Sequence, residues 1–128
     1  MSVKILPFRF PGIDGVGCAF QLRTDAGTDV SGGNISFTAG EDADAVARHR
    51  RDLLGACGVE RWAELHQVHR DDIIYEPDAV SPEGTPQVDA DGMATQQKGL
   101  ALLIKTADCQ PVLIAHRSGR YVAALHVG

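Results

Sequence analysis

The chain has 128 residues, 44% of them hydrophobic and 23% charged, which is the make-up of one ordinary globular domain able to bury a core. A net charge of −5 and a pI near 5.4 argue against nucleic acid or an anionic membrane as the main partner, and leave room for a small anion in a local basic pocket. No apolar run approaches the roughly 20 residues of a spanning helix. Proline comes too early in MSVKILPFRFPGIDG for a secretory signal, and three widely spaced cysteines suggest no disulfide framework, so a cytoplasmic setting is expected.

In chain order, residues 1–15 read as a short strand and a Pro/Gly turn, 16–24 as a strand, and 25–33 as a loop rich in Gly, Asp, Ser and Thr. Asn34 to Phe37 reads as short and extended. Residues 41–57 form the clearest helix, with Val46, Leu53, Leu54 and Cys57 on one face and Gly58 as its stop. Acidic residues crowd its first turn (Glu41, Asp42, Asp44). Arg48, Arg50 and Arg51, placed in its latter half, complement the helix dipole. Strands are expected at 61–68 and 72–75, then a long loop over 76–90. Two apolar strands flank Cys109, and after a Ser118-Gly119 turn comes a last strand, 121–127. Strands with one clear helix favour an α+β (mixed α/β) fold.

Cys109 lies in Thr106-Ala107-Asp108-Cys109-Gln110-Pro111, where Pro111 blocks helix formation and favours a strand-to-strand bend. On the last strand, alternation puts Val122, Ala124 and His126 on one face, with His126 the sole polar side chain there. Its place at the strand end predicts an exposed, loosely held imidazole. His69 closes Gln67-Val68-His69, and His66, three residues earlier, points to the other side of a strand. His49 and His116 read as surface histidines, and Cys18 and Cys57 as structural. One cysteine and two histidines suit either a zinc site with an open fourth position or a Cys–His nucleophile pair with Cys109 attacking, and the long spacings do not choose. Arg50 and Arg51 read as a solvated helix face, with an inward arginine able to grip an oxyanion as the alternative. Asp89 and Asp91 read as turn chemistry rather than a calcium loop.

Taken together, Asn34-Ile35-Ser36, the helix at 46–54, Gln67-Val68-His69, Asp91-Gly92-Met93-Ala94-Thr95, Thr106-to-Pro111 and Ala123-Ala124-Leu125-His126 occur in an order that resembles the YfiH/YlmD family. That family is described as laccase-like polyphenol oxidase and also as purine nucleoside phosphorylase. The resemblance implies a compact fold of sheet layers covered by helices, and a metal site of His69, Cys109 and His126, these three being also the catalytic residues. It places Asn34 and Arg50 as substrate-binding residues, Arg50 as the clamp for phosphate. The implied activity is zinc-dependent phosphorolysis of adenosine, inosine, guanosine and methylthioadenosine, with deamination of adenosine. The implied partners are purine nucleosides and phosphate, and copper-dependent phenol oxidation is the older reading. Five histidines in the whole chain count against a multicopper centre. The pattern departs from the family at His49, Arg70 and Val127. Residues 1–128 are expected to be a single domain, the N-terminal part of a longer family domain truncated after Gly128. Self-association, completion by a C-terminal half, or a non-catalytic fragment follow as expectations.

Overall fold

The structure is a computed structural model and describes residues 3–23, 33–37 and 42–128. Strands β1 (Lys4–Phe8) and β2 (Cys18–Leu22) pair antiparallel as a separate ribbon. Helix α1 (Ala43–Cys57) follows, and then β3 (Arg61–Glu64), β4 (Ile73–Tyr75), β5 (Gly92–Thr95), β6 (Leu100–Leu103), β7 (Gln110–Ala115) and β8 (Val122–Val127). β3 and β6 form a parallel pair, and the other four strands form a sheet of order β4-β5-β8-β7. Within it β4 and β5 run parallel, while β5–β8 and β7–β8 are antiparallel. The mixed α/β class expected from sequence is the observed one. The expected loop at 25–33 lies outside the described residues except for Gly33, as does Glu41.

The β3–β6 pair, buried between two layers, carries apolar side chains on both faces apart from Arg61 and Glu64. Trp62, Ala101 and Leu103 meet Leu53 and Leu54 of α1 together with Val3 and Ile5. On the opposite face Ala63, Leu65, Leu100 and Leu102 meet Met93 of β5 and Ile74 of β4. Period-two alternation along two short strands thus joins the helix layer to the four-stranded sheet.

Helix α1 begins where Asp42 caps it, its Oδ1 accepting from the Asp44 N–H at 3.2 Å. It ends at Gly58, whose φ of +68° is the left-handed conformation that closes helix termini. The face it buries is Val46, His49, Arg50 and Leu53, whereas Cys57 is exposed. Two expectations are therefore corrected. His49 is not a surface histidine, since it is 1% exposed with Nδ1 at 2.6 Å from the Asn34 carbonyl. The arginines lie in mid-helix, and the last turn carries no basic residue to complement the dipole.

Arg50 departs furthest from its solvated reading. It is 1% exposed and donates bidentately to Glu64, Nη1 to Oε1 and Nη2 to Oε2, each at 2.7 Å. It also contacts the carbonyls of Ile35 and Pro82 and the rings of Phe37 and Trp62, 4.6 and 5.8 Å from the guanidinium carbon. Lys105 Nζ also reaches Glu64 Oε2 at 2.7 Å. A hydrophobicity pattern cannot find this inward arginine, because its place depends on a carboxylate that β3 delivers from another layer.

β5 lies between the loop expected over 76–90 and the strands expected around Cys109, where no strand is expected from sequence. Gly92 opens it, and a Cβ there would stand 2.7 Å from Leu125 Cδ2 and 3.2 Å from Ile73 Cγ1, so a larger residue would need these side chains to shift. The segment 104–109 is also not a hairpin bend. β6 and β7 pair with different partners, so this stretch crosses from one sheet to the other and carries Cys109 to the start of β7. Pro111 is tolerated because β7 is an edge strand. No helix among the described residues is long and apolar enough to cross a membrane.

Replacing Glu64 by Ala strands the Arg50 charge in the core. We expect Glu64→Ala to lose roughly 3–5 kcal/mol of unfolding free energy, the usual cost of breaking one side of a buried pair. Urea denaturation followed by Trp62 fluorescence measures it, and a loss under about 1 kcal/mol, the level of an exposed pair, would contradict the assignment.

Candidate metal centre

Sheet register explains how two of the site residues meet. Gln110 pairs with Val127 and Pro111 with His126. Cys109 and Pro111 share a side of β7, so the thiol and the His126 imidazole are diagonal neighbours on one face of the sheet. That is the inner face, where Ala124 is 1% and His126 7% exposed. The expectation of an exposed, poorly held His126 is overturned, because the strand end is packed against Asp91.

His69 arrives from a different layer, on the loop that leaves β3. It takes a φ of +62°, uncommon for a residue with a Cβ. The loop is held by the Asp91 carboxylate. Oδ2 accepts from the N–H groups of Arg70 (2.8 Å) and Val68 (3.2 Å), and Oδ1 from the N–H of His69 (3.0 Å). The same Oδ1 lies 2.8 Å from His126 Nδ1, and the His126 N–H donates to the Asp91 carbonyl at 2.7 Å. One carboxylate therefore holds both histidines. Three successive backbone N–H groups converging on an anion form the kind of concavity that binds anions generally, here filled from within.

The result is a cluster of His69, Cys109 and His126 whose ligand atoms all lie within 4.8 Å of one another. Cys109 Sγ is 3.9 Å from His69 Nε2, and the two imidazoles meet edge to face with centroids 4.8 Å apart. Gly128 closes one side, where a Cβ would come within 3.0 Å of His69 Cδ2. The adjoining pocket, about 410 Å³, is lined by His69, Arg70, Asp91, Leu125, His126 and Gly128 among others.

Burial of Asp91, 3% exposed, pushes its carboxyl pKa up. The hydrogen bonds from the Arg70 N–H, the His126 side chain and the N–H groups of His69 and Val68 outweigh this and bring it down to about 2. An anionic carboxylate has no proton to give, so His126 Nδ1 carries the hydrogen and Nε2 is left with a lone pair for a metal. The donor set fits a metal ion: one soft sulfur, two imidazole nitrogens, and a carboxylate behind one of them. A Cys–His nucleophile pair fits less well. The thiol touches His69 while the carboxylate holds the His126 ring, and a nucleophile's base is normally the imidazole that the carboxylate orients.

Asn34 and Arg50 are not brought to this cluster. Neither lines the pocket, and Asn34 closes its amide on its own turn, Nδ2 to the Ser36 carbonyl and Oδ1 from the Ser36 N–H. That turn also replaces the extended stretch expected at Asn34 to Phe37. Arg50, expected as the phosphate clamp, is instead 1% exposed and ion-paired with Glu64. His66 pairs with Asp89 at 2.8 Å, outside the cluster as expected, and His116 contacts Ser118. The residue that the sequence reading missed is Asp91. Its only signal was position in Asp91-Gly92-Met93-Ala94-Thr95, because a single aspartate before glycine looks like a turn.

Fold and cluster together define a mixed α/β protein with a two-histidine, one-cysteine cluster that could hold a metal ion. The chain belongs to the family described as "Multi-copper polyphenol oxidoreductase laccase", whose model matches residues 18–128. It is 37% identical over 97 residues to a purine nucleoside phosphorylase of Mycobacterium tuberculosis, across 74% of this chain and 38% of that protein. It is 32% identical over 136 residues to a purine nucleoside phosphorylase of Xylella fastidiosa, across 97% of this chain and 51% of that one. Among solved structures it resembles a Neisseria meningitidis protein of the DUF152 family, with a TM-score of 0.76, 28% identity and coverage of 97% of this chain and 50% of that chain. It also resembles YlmD from Geobacillus stearothermophilus, with a TM-score of 0.60, 30% identity and coverage of 75% and 38%. The chain spans about half the length, or less, of the relatives it matches.

The lowered Asp91 pKa makes stability depend on acid. The folded carboxyl, at about 2, binds its proton more weakly than an unfolded one at its ordinary 3.8. The stabilisation is therefore complete above pH 4 and disappears as pH falls toward 2, a loss on the order of 2 kcal/mol. Denaturant midpoints of the metal-free protein between pH 6 and pH 2 report it. In Asp91→Asn that part of the acid dependence is expected to vanish, and an unchanged acid profile would contradict the assignment.

Proposed function

We propose that this chain carries the metal-holding part of a purine nucleoside phosphorylase site that also deaminates adenosine, with zinc as the metal. The observation that carries the reading is the convergence of His69, Cys109 and His126 with Asp91 behind His126. The names of the relatives supply the reaction class. A zinc ion held by two imidazoles and a thiolate supplies a Lewis acid with one position open to substrate or water.

The chain's own residues do the rest. Asp91 fixes the His126 tautomer and ring plane, and it holds the His69 backbone in its left-handed conformation. Gly128 lets the chain pass close to His69, and the pocket beside the cluster is of the size that holds a nucleoside. With Arg50 engaged by Glu64, phosphate has to be oriented by other groups.

The family's description names several coppers, and phenol oxidation is the second reading. Among the described residues there is one group of three or more metal-ligating side chains, this one. The other histidines are engaged elsewhere, His49 with the Asn34 carbonyl, His66 with Asp89 and His116 with Ser118. A single thiolate-containing site is within the range of zinc, whereas a multicopper oxidase needs more imidazoles than the cluster offers.

Metal content by elemental mass spectrometry, with product analysis on adenosine plus phosphate, tests the reading. We expect one zinc per chain, and adenine with ribose 1-phosphate, or inosine, as products. Copper in place of zinc with oxidation of a phenol would favour the second reading, and neither metal nor product would sink the first. Cys109→Ser, His69→Ala and His126→Ala should each weaken zinc by at least the roughly 10- to 100-fold that loss of a supporting residue costs. Competition with a chromogenic chelator measures this.

A further inference from the structure

The cluster draws its ligands from two segments that no strand pairing joins. His69 sits on the loop after β3, and Cys109 ends the crossover from β6 to β7. Asp91 ties His69 to His126, and none of its hydrogen bonds described above goes to the cysteine's segment. Something else has to set the position of Cys109 relative to His69.

Gln67 bridges the gap. Its Nε2 donates to the Lys105 carbonyl at 2.6 Å, and its Oε1 accepts from the Lys105 N–H at 2.8 Å. A primary amide pairing both its groups with one residue's backbone acts as a short rung between two chains, in the manner of a strand pair. The rung lies two residues before His69 and four before Cys109. It begins where the β3–β6 pairing stops, at Glu64 opposite Leu103. Lys105 is anchored a second time, its Nζ reaching Glu64 Oε2 at 2.7 Å and the Leu65 carbonyl at 3.4 Å. The crossover therefore leaves the β3 layer from a point fixed on both backbone and side chain.

We infer that Gln67 is a positioning residue that sets the separation of His69 and Cys109, and with it the affinity and coordination of the metal. This rests on the metal-site reading given above. Gln67 itself offers the metal nothing, since both its polar atoms are engaged. Only glutamine, among side chains of this length, presents a donor and an acceptor side by side. Glutamate would set a carboxylate against the Lys105 carbonyl, and methionine would fill the space with no rung.

The experiment compares Gln67→Met and Gln67→Glu with the unaltered chain, using cobalt(II) as a spectroscopic stand-in for zinc. Expected for Gln67→Met is roughly 10- to 100-fold weaker cobalt binding, the range for supporting residues of metal sites, with a changed thiolate-to-cobalt absorption band. A metal-free readout runs beside it: the rate at which iodoacetamide alkylates Cys109, resolved by peptide mass spectrometry, with Cys57 as internal reference. Alkylation of Cys109 should rise in both variants while Cys57 stays unchanged. Unaltered cobalt affinity, band and Cys109 reactivity in Gln67→Met would overturn the inference. If the unaltered chain binds no metal, the metal reading fails, and the alkylation rates still decide whether Gln67 positions Cys109.

Discussion

The site depends on one buried anion. Asp91 stands at the start of β5, the strand that β4 and β8 flank, and its carboxylate receives three backbone N–H groups from the loop after β3 and the imidazole of His126 from β8. A carboxylate nearly free of water is costly unless its lone pairs are filled. Here four donors fill them, and the balance leaves the group ionised. The same contacts that make the charge tolerable also dictate the geometry of two histidines of the cluster. Structural satisfaction and site organisation are one set of hydrogen bonds.

A second buried anion, Glu64, works on the opposite face of the β3–β6 layer. It faces Arg50 of α1 and Lys105 of the crossover, so one carboxylate links the helix, a strand and the segment leading to Cys109. Glu64 at the end of β3 and Leu65 just after it point to opposite sides, one into the ionic cluster and the other into the core against the sheet. This short strand therefore carries fold stability on one side and the approach to the site on the other. Gln67, two residues farther, carries the connection into the ligand loop.

Much of the architecture was legible from local pattern. The helix announced itself by spacing and by Gly58, and the last strand by alternation that correctly paired Ala124 with His126 on one face. The ligand residues were nominated by chemistry, as a cysteine before a proline and histidines at element ends. The misread residues share a physical reason. His49 and Arg50 look like surface residues because polarity is a local property, whereas burial depends on what arrives opposite them. Arg50 found Glu64, and His49 found the carbonyl of Asn34, both from distant parts of the chain. β5 was missed because its identity rests on neighbours: four residues starting with glycine have little strand propensity, yet β4 and β8 pair with them on either side.

The sequence by itself determined most of the elements, β5 excepted, and which chemical groups were available, because periodicity, capping and side-chain chemistry are properties of short stretches. It could not decide that His69, Cys109 and His126 meet, since their spacings carry no chelate signature and the three lie on separate elements. Tertiary structure decided that, through the β7–β8 register that puts Cys109 diagonal to His126 and through the Asp91 carboxylate that draws His69 toward them. It also directed the polar groups of Arg50 and Asn34 to other partners, Glu64 and the Ser36 backbone. The physical reason is the same in both directions: a polar side chain's role is set by the partner that reaches it, and partners are brought by the fold.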